Sequence, residues 1–374
     1  MMPSLRPATA IAADILDALP EAVDPSALAH NENPFSPLPG VRAALTRSVN
    51  AANRYPEFLP EALRAVIAAR LRVGGEQIVV GAGATGVIMQ VLNAVTEPGD
   101  RIVLTSPTFD GYPICAAMAR LLAETVPLDG HGHHDLTAMA DAASQARVVV
   151  LCRPHNPTGT LESAADVERF LHRVPSDTVV LLDEAYIEFV APRHRLDAPE
   201  LLRRFPNVVV LRTFSKAYGL AGLRIGYGLA APELAKTLWS MQLPFGMSIT
   251  AAAAVAASYH AEAQLCQRIW LITGQRRYLR RRLRALGIYS IDGHANFLYL
   301  PGARLPWRDI FDNAGLNVRH YGDGAARITI GGRTSTRAIL EAVTNRLLPE
   351  AQRGPNRFNS NANVTEVHDY GTQL

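Results

Sequence analysis

At 374 residues, with 48% hydrophobic and 19% charged side chains, the chain has material for a large core or two domains and is not disordered throughout. Its formal charge of +3 is small for that length, and the one arginine cluster, "RRYLRRRLRAL" at 276–286, reads on helical spacing as a solvated face, so no nucleic-acid partner is implied. Three widely spaced cysteines (Cys115, Cys152, Cys266) suggest neither a disulfide framework nor a metal site. The start lacks a signal peptide's apolar core, and no segment reaches the roughly 18 apolar residues of a membrane span; a soluble, cytoplasmic protein is expected.

In chain order, residues 1–45 read as an N-terminal arm. From 46 to 235, short β-rich runs alternate with helical patterns: "QIVVGA", "RIVLTS", "RVVVLCR", "TVVLLDEAY" and "NVVVLRTFS" each look like a strand buried on both faces. That alternation predicts an α/β fold with a parallel sheet and crossover helices. From 236 to 348 long helical segments give way to two strand candidates, "HANFLYL" and "ARITIGG", which predict a smaller α+β domain. Residues 349–374 are polar and Asn-rich, the pattern of a mobile tail, and the sequon at Asn363 is read as incidental.

Ligands of open α/β sheets sit at the carboxyl ends of strands, so the polar residues there are taken together. Asn156 follows one run, Asp183 ends the next with Tyr186 three residues on, and Lys216 follows a third. An amide, a carboxylate, a phenol and a lysine facing one cleft suit pyridoxal phosphate, whose aldehyde forms a Schiff base with lysine. Asp183 would keep the ring nitrogen protonated, Asn156 and Tyr186 would donate to the 3-oxygen, and Lys216, neutral at working pH, would move the proton. "IVVGAGATGVIMQVL" places the amides of Ala84 and Thr85 at a helix start facing an anion, with Thr213, Ser215 and Arg224 able to complete a phosphate cup. The literal G-A-G-A-T-G at 81–86 also matches a dinucleotide fingerprint, but the next run, "RIVLTSP", ends without the acid such a site needs.

The order "NENP", "RYP", "PTF", "HNPTG", "DEAY", "FSKAYGLAGLRIGYG", "ANFLYL", "RITIG" over residues 28–348 resembles the class II pyridoxal-phosphate aminotransferases, in particular the histidinol-phosphate and aromatic aminotransferases. The resemblance implies a fold-type I homodimer with active sites at the subunit interface, acting on an amino donor and a 2-oxo acid. It implies further that Lys216 is the attachment lysine, that Phe109 stacks on the ring where relatives commonly have Tyr, and that Ser215 and Arg224 bind the phosphate. Tyr55 would reach the neighbouring subunit's phosphate, Asn33 of "NENP" would line the substrate site, and Arg327 would take the substrate's carboxylate, a task suited to a planar fork. Arg319 in "NVRHYG" offers a second cation for a phosphate or side-chain carboxylate. The chain departs from the pattern at Ala84-Thr85-Gly86, where relatives often carry polar or acidic residues, and in lacking an aromatic ahead of "NENP".

His131, His133 and His134 read as a solvated loop without a carboxylate partner at a fixed helical offset, no metal is expected, and His155 reads as a wall of the site. A decarboxylase resembling threonine-phosphate decarboxylase stays open, because the residues around the lysine do not decide which substrate bond breaks. A regulator on the same fold would carry a DNA-binding domain ahead of it, for which 28 leading residues leave no room.

Overall fold

Apolar runs buried on both faces must lie between two helical layers. The computed structural model describes residues 18–302 and 305–347. Its first elements are β1 (Ala27–Leu28), α1 (Pro39–Val49), α2 (Glu61–Leu71), β2 (Ile78–Ala82), α3 (Gly83–Val95), β3 (Arg101–Ser106), α4 (Gly111–Met118), β4 (Leu122–Pro127), α5 (Leu136–Ala143), β5 (Val148–Cys152) and α6 (Ala164–Arg173). They are followed by β6 (Val179–Asp183), α7 (Ala198–Arg204), β7 (Val208–Thr213), β8 (Ile225–Ala230), α8 (Pro232–Trp239), α9 (Ile249–His260) and α10 (Glu262–Ala285). The last are β9 (Phe297–Leu300), α11 (Trp307–Asp312), β10 (Asn317–His320), β11 (Ala326–Thr329) and α12 (Arg333–Leu347).

All five runs are strands of one seven-stranded sheet of order β2-β8-β7-β6-β5-β3-β4. The sheet is parallel except for β8, which lies antiparallel to both β2 and β7. Alternate residues feed two cores: Val149, Leu151, Val180, Leu182 and Val210 on one face, and Val148, Val150, Leu181, Val209 and Leu211 on the other. Each such side chain contributes about 1.5–3 kcal/mol on leaving water. Ser163, Asp197 and Ser248 fix the starts of α6, α7 and α9 by accepting the backbone N–H three residues on, at 3.1 Å in each case, which stabilises each helix by about 1 kcal/mol.

A second sheet of order β1-β10-β11-β9 carries a separate core of its own. That core takes in Tyr186 and Ala217 from the loops after β6 and β7, so the second sheet is packed against the strand ends of the first. The large-sheet core continues through Ala251, Ala254, Val255 and Leu265; along the same helix, Ile272, Leu279 and Leu283 belong to the second core. The cluster at 276–286 differs from a uniformly solvated face. Arg276 is buried, donates to the carbonyl of Ala295 and is pushed down to about 10 by burial. Among the described residues no helix is long and apolar enough to cross a membrane. The segment 349–374, with its sequon, lies outside the described residues.

Candidate active site

The chain runs from β3 outward to β4 and then returns to β5 on the other side of β3, so the sheet changes direction between β3 and β5, where a crevice opens beyond the carboxyl ends. Phe109 follows β3 and Asn156 follows β5; Asp183 ends β6, and Lys216 follows β7. Asp183 is 4% exposed and accepts from the hydroxyl of Tyr112 and, at 2.9 Å, from the amide of Ala185. Burial pushes its carboxyl up to about 6, against the lowering by those two donors. The Lys216 amine donates to the carbonyl of His30 at 2.8 Å and is pushed down to about 8, first by burial and then by the Arg327 guanidinium. Tyr186 is buried and its hydroxyl raised by that burial, so it stays protonated and able to donate; it accepts from the Asn31 amide at 2.9 Å.

Arg327 is buried, gives one Nη to Asn156 Oδ1 and the other to the carbonyl of Ala29, and among the described residues its Nε has no partner. A buried guanidinium with an unspent donor and only neutral acceptors is prepared for a carboxylate. At the other end of the cleft, Arg224 adopts φ 53° and donates to Ser215 Oγ at 3.3 Å and to the carbonyl of Ala221 at 2.9 Å. Thr213 donates to Ser215 Oγ at 3.0 Å and in turn receives the Ser215 amide at 3.1 Å. Gly83, at φ 72°, lies so close under Arg224 that a Cβ there would fall 2.2 Å from Nη2; a Cβ on Gly226 would fall 2.4 Å from the amide nitrogen of Ala84. Glycine therefore lets the start of α3, with Ala84 and Thr85, close against Arg224 and Ser215 as a cup for an anion.

These residues fit pyridoxal phosphate. Among the described residues no cation hydrogen-bonds to the buried Asp183 carboxylate, and a protonated ring nitrogen would supply one. The anion cup, the lysine with its lowered pKa and the donors Asn156 and Tyr186 lie around the same cleft. Phe109 is half-buried and meets Tyr112 edge-on at 5.3 Å, placing a ring beside the Asp183 cluster.

Some expected residues sit differently. The amide of Asn33 is engaged with the carbonyls of Lys216 (3.3 Å) and Ala217 (2.9 Å), and the "NENP" side chain that reaches Tyr186 is Asn31. Tyr55 is 82% exposed and packs tilted against Phe245, with ring centres 4.8 Å apart. Arg319 pairs with Asp110 at 2.8 Å. His155 is no wall of the site: fully buried behind the Asn156 loop, it bonds Thr158 Oγ1 at 2.8 Å and is held neutral by burial. The histidine tract is not solvated throughout: His134 is buried, and Glu162, distant in sequence, receives its amide at 3.2 Å and lies 3.5 Å from His133 Nδ1. Among the described residues no cluster could hold a metal ion. The sequence reading missed Tyr112 and Asn31; the only local signal for Tyr112 was its position one turn after "PTF".

An aromatic amino acid aminotransferase of Streptomyces coelicolor is 41% identical over 307 residues, which cover 81% of this chain and 86% of that protein. A histidinol-phosphate aminotransferase of Sinorhizobium meliloti, solved in complex with pyridoxal-5'-phosphate, superposes with a TM-score of 0.78 at 28% identity, over 88% of this chain and 95% of its own. An L-threonine-O-3-phosphate decarboxylase of Porphyromonas gingivalis shares the fold, with a TM-score of 0.72 at 23% identity over 82% of this chain and 94% of its own. Residues 24–344 match the family described as aminotransferase class I and II. The chain belongs to that family, with the large mostly parallel sheet and small mixed sheet of a fold-type I enzyme.

Proposed function

We propose that the protein is a pyridoxal-phosphate-dependent aminotransferase that exchanges an amino group between an L-aromatic amino acid and a 2-oxo acid. The observation that carries this reading is the convergence of Lys216, Asp183, Asn156, Tyr186 and Arg327 on one cleft, in a chain 41% identical to an aromatic amino acid aminotransferase. Pyridoxal phosphate, when bound, supplies an aldehyde that takes up the amino group and a protonated ring that draws electrons from the carbon bearing it. Asp183 keeps the proton on the ring nitrogen, and Asn156 and Tyr186 donate to the ring oxygen. Phe109 covers the ring. Ser215, Arg224, Thr213 and the amides of Ala84 and Thr85 hold the phosphate.

Arg327 receives the α-carboxylate of donor and acceptor alike, its planar fork fixing the carboxylate so that the Cα–H bond is the one aligned to break. Lys216 Nζ, neutral once the pH passes about 8, takes the proton from that α-carbon. Tyr55, with Phe58, Leu243 and Phe245, forms an exposed aromatic and apolar patch, which supports a homodimer in which Tyr55 serves the partner's phosphate. The free thiols Cys115, Cys152 and Cys266 support a reducing compartment, the cytoplasm.

The test is a pair of half-reactions on the wild-type holoenzyme. L-phenylalanine should convert the cofactor to its amine form with release of phenylpyruvate, and a 2-oxo acid should return it. Stoichiometric carbon dioxide with no change of cofactor form would replace this reading with a decarboxylase. Sedimentation of the active protein as a monomer would remove the shared site and leave the chemistry.

A further inference from the structure

In the antiparallel pairing of β10 with β11, Arg319 lies directly opposite Arg327. Residues so paired project from the same face of a sheet, so two guanidinium groups lean toward the same cleft. The chain treats them differently. Arg327 is buried and bonded only to the neutral oxygens of Asn156 and Ala29, whereas Arg319 Nη2 is 2.8 Å from the carboxylate of Asp110.

Asp110 precedes the first residue of α4, where an aspartate ordinarily accepts a backbone N–H of the first turn, yet its side chain makes no such bond. It gives up that cap and reaches across from the β3 loop of one sheet to β10 of the other, beside Phe109 at the mouth of the cleft. Tyr321 ties the pair to the same wall: Arg319 lies 5.8 Å from its ring centre, and although burial pushes its hydroxyl up, the charges of Arg327, Arg319 and Asp110 all reach it.

We propose that Asp110 is a specificity-determining residue which, by occupying Arg319, withholds a second cation from the substrate and selects donors and acceptors carrying one carboxylate and an uncharged side chain. A substrate with a second anionic group has to displace Asp110 from Arg319 and then sit beside the Asp110 carboxylate; a phenylalanine or phenylpyruvate side chain meets an already neutral pair. This inference rests on the aminotransferase reading and on Arg327 taking the α-carboxylate.

The experiment measures binding of two unreactive ligands to the holoenzyme by calorimetry: 3-phenylpropanoate, with one carboxylate, and glutarate, with two. Wild-type protein should bind 3-phenylpropanoate the more tightly. Asp110→Asn should tighten glutarate about threefold to fivefold, the upper scale of an exposed ion pair, and leave 3-phenylpropanoate within about 1.5-fold. Asparagine and serine both suit a helix start, so Asp110→Ser gives a second variant with the same expected result. Adding Arg319→Gln to Asp110→Asn should abolish the gain. An unchanged glutarate to 3-phenylpropanoate ratio in both Asp110 variants, or a gain that survives loss of Arg319, overturns the role of Asp110. Phenylalanine turnover by the same wild-type preparation separates this from failure of the parent reading: with turnover intact only the selectivity claim falls, and without turnover both fall.

Discussion

On the proposed reading Lys216 carries the chemistry, because its surroundings favour loss of its proton. Burial and the Arg327 charge lower the amine from its ordinary value to about 8, so it is mostly neutral above that pH and mostly protonated below it. Reaction of the cofactor-free protein with pyridoxal phosphate should therefore speed up with rising pH and level off above about 8, being about a hundredfold slower at pH 6 than on the plateau. Arg327→Gln removes the second cause of the shift and should move this limb to higher pH. Stopped-flow absorbance across pH 6–10 checks both, and a limb that stays in place in the variant would separate Arg327 from the lysine. Lys216, Asp183 and Asn156 were legible in the sequence because each ends or follows an apolar run, and strand ends share one edge of a parallel sheet. Tyr112 and Asn31 were not. Their partners Asp183 and Tyr186 lie 71 and 155 residues away, and no local spacing encodes such a contact. The same reason hid Glu162 from the histidine tract, 28 residues upstream of it.

At the scale of elements, the proposed phosphate cup depends on β8 lying flat against the junction of β2 and α3. Gly226 is the point of contact, since a Cβ would stand 2.4 Å from the Ala84 nitrogen and 2.5 Å from the Gly83 carbonyl carbon, both backbone atoms that cannot turn aside. Gly226→Ala should cost about 1–3 kcal/mol through overpacking, lower Tm by several degrees and weaken cofactor binding. Gly222→Ala, with nothing within 4 Å, is the control and should change neither. Thermal unfolding with and without pyridoxal phosphate decides, and a wild-type Gly226→Ala would mean the junction is not clamped by β8. The five apolar runs were readable as strands because they are buried on both faces. The edge strand β4 was not, being mostly exposed and carrying polar residues, and β8 was masked by glycines at every second position of "GYG". β1 is two residues long and exists through its pairing with β10, and β10, the largely polar NVRH with one buried residue, exists through its pairing with β1 and β11.

For the whole molecule, the cores of the large and small sheets meet over one cleft. The texture of the sequence changes at about 236, while the large-sheet core continues to Leu265, because α9 and the start of α10 are helices that still cover that sheet. Sequence texture reports the kind of element; which core an element joins is set by tertiary packing. The second core closes on Tyr186 and Ala217, next to Lys216, so loading the lysine should engage both halves of the chain. The central claim is that this one amine bears the cofactor, and the composition makes the test clean: the chain has two lysines, Lys216 after β7 and the exposed Lys236 in α8. The most direct measurement is borohydride reduction of the pyridoxal-phosphate-loaded protein followed by peptide mapping of the pyridoxyl group. One equivalent per chain is expected on Lys216 and none in Lys216→Ala; a stable adduct on Lys236 or the N-terminal amine, with Lys216 unmodified, would overturn the assignment of the cofactor to Lys216.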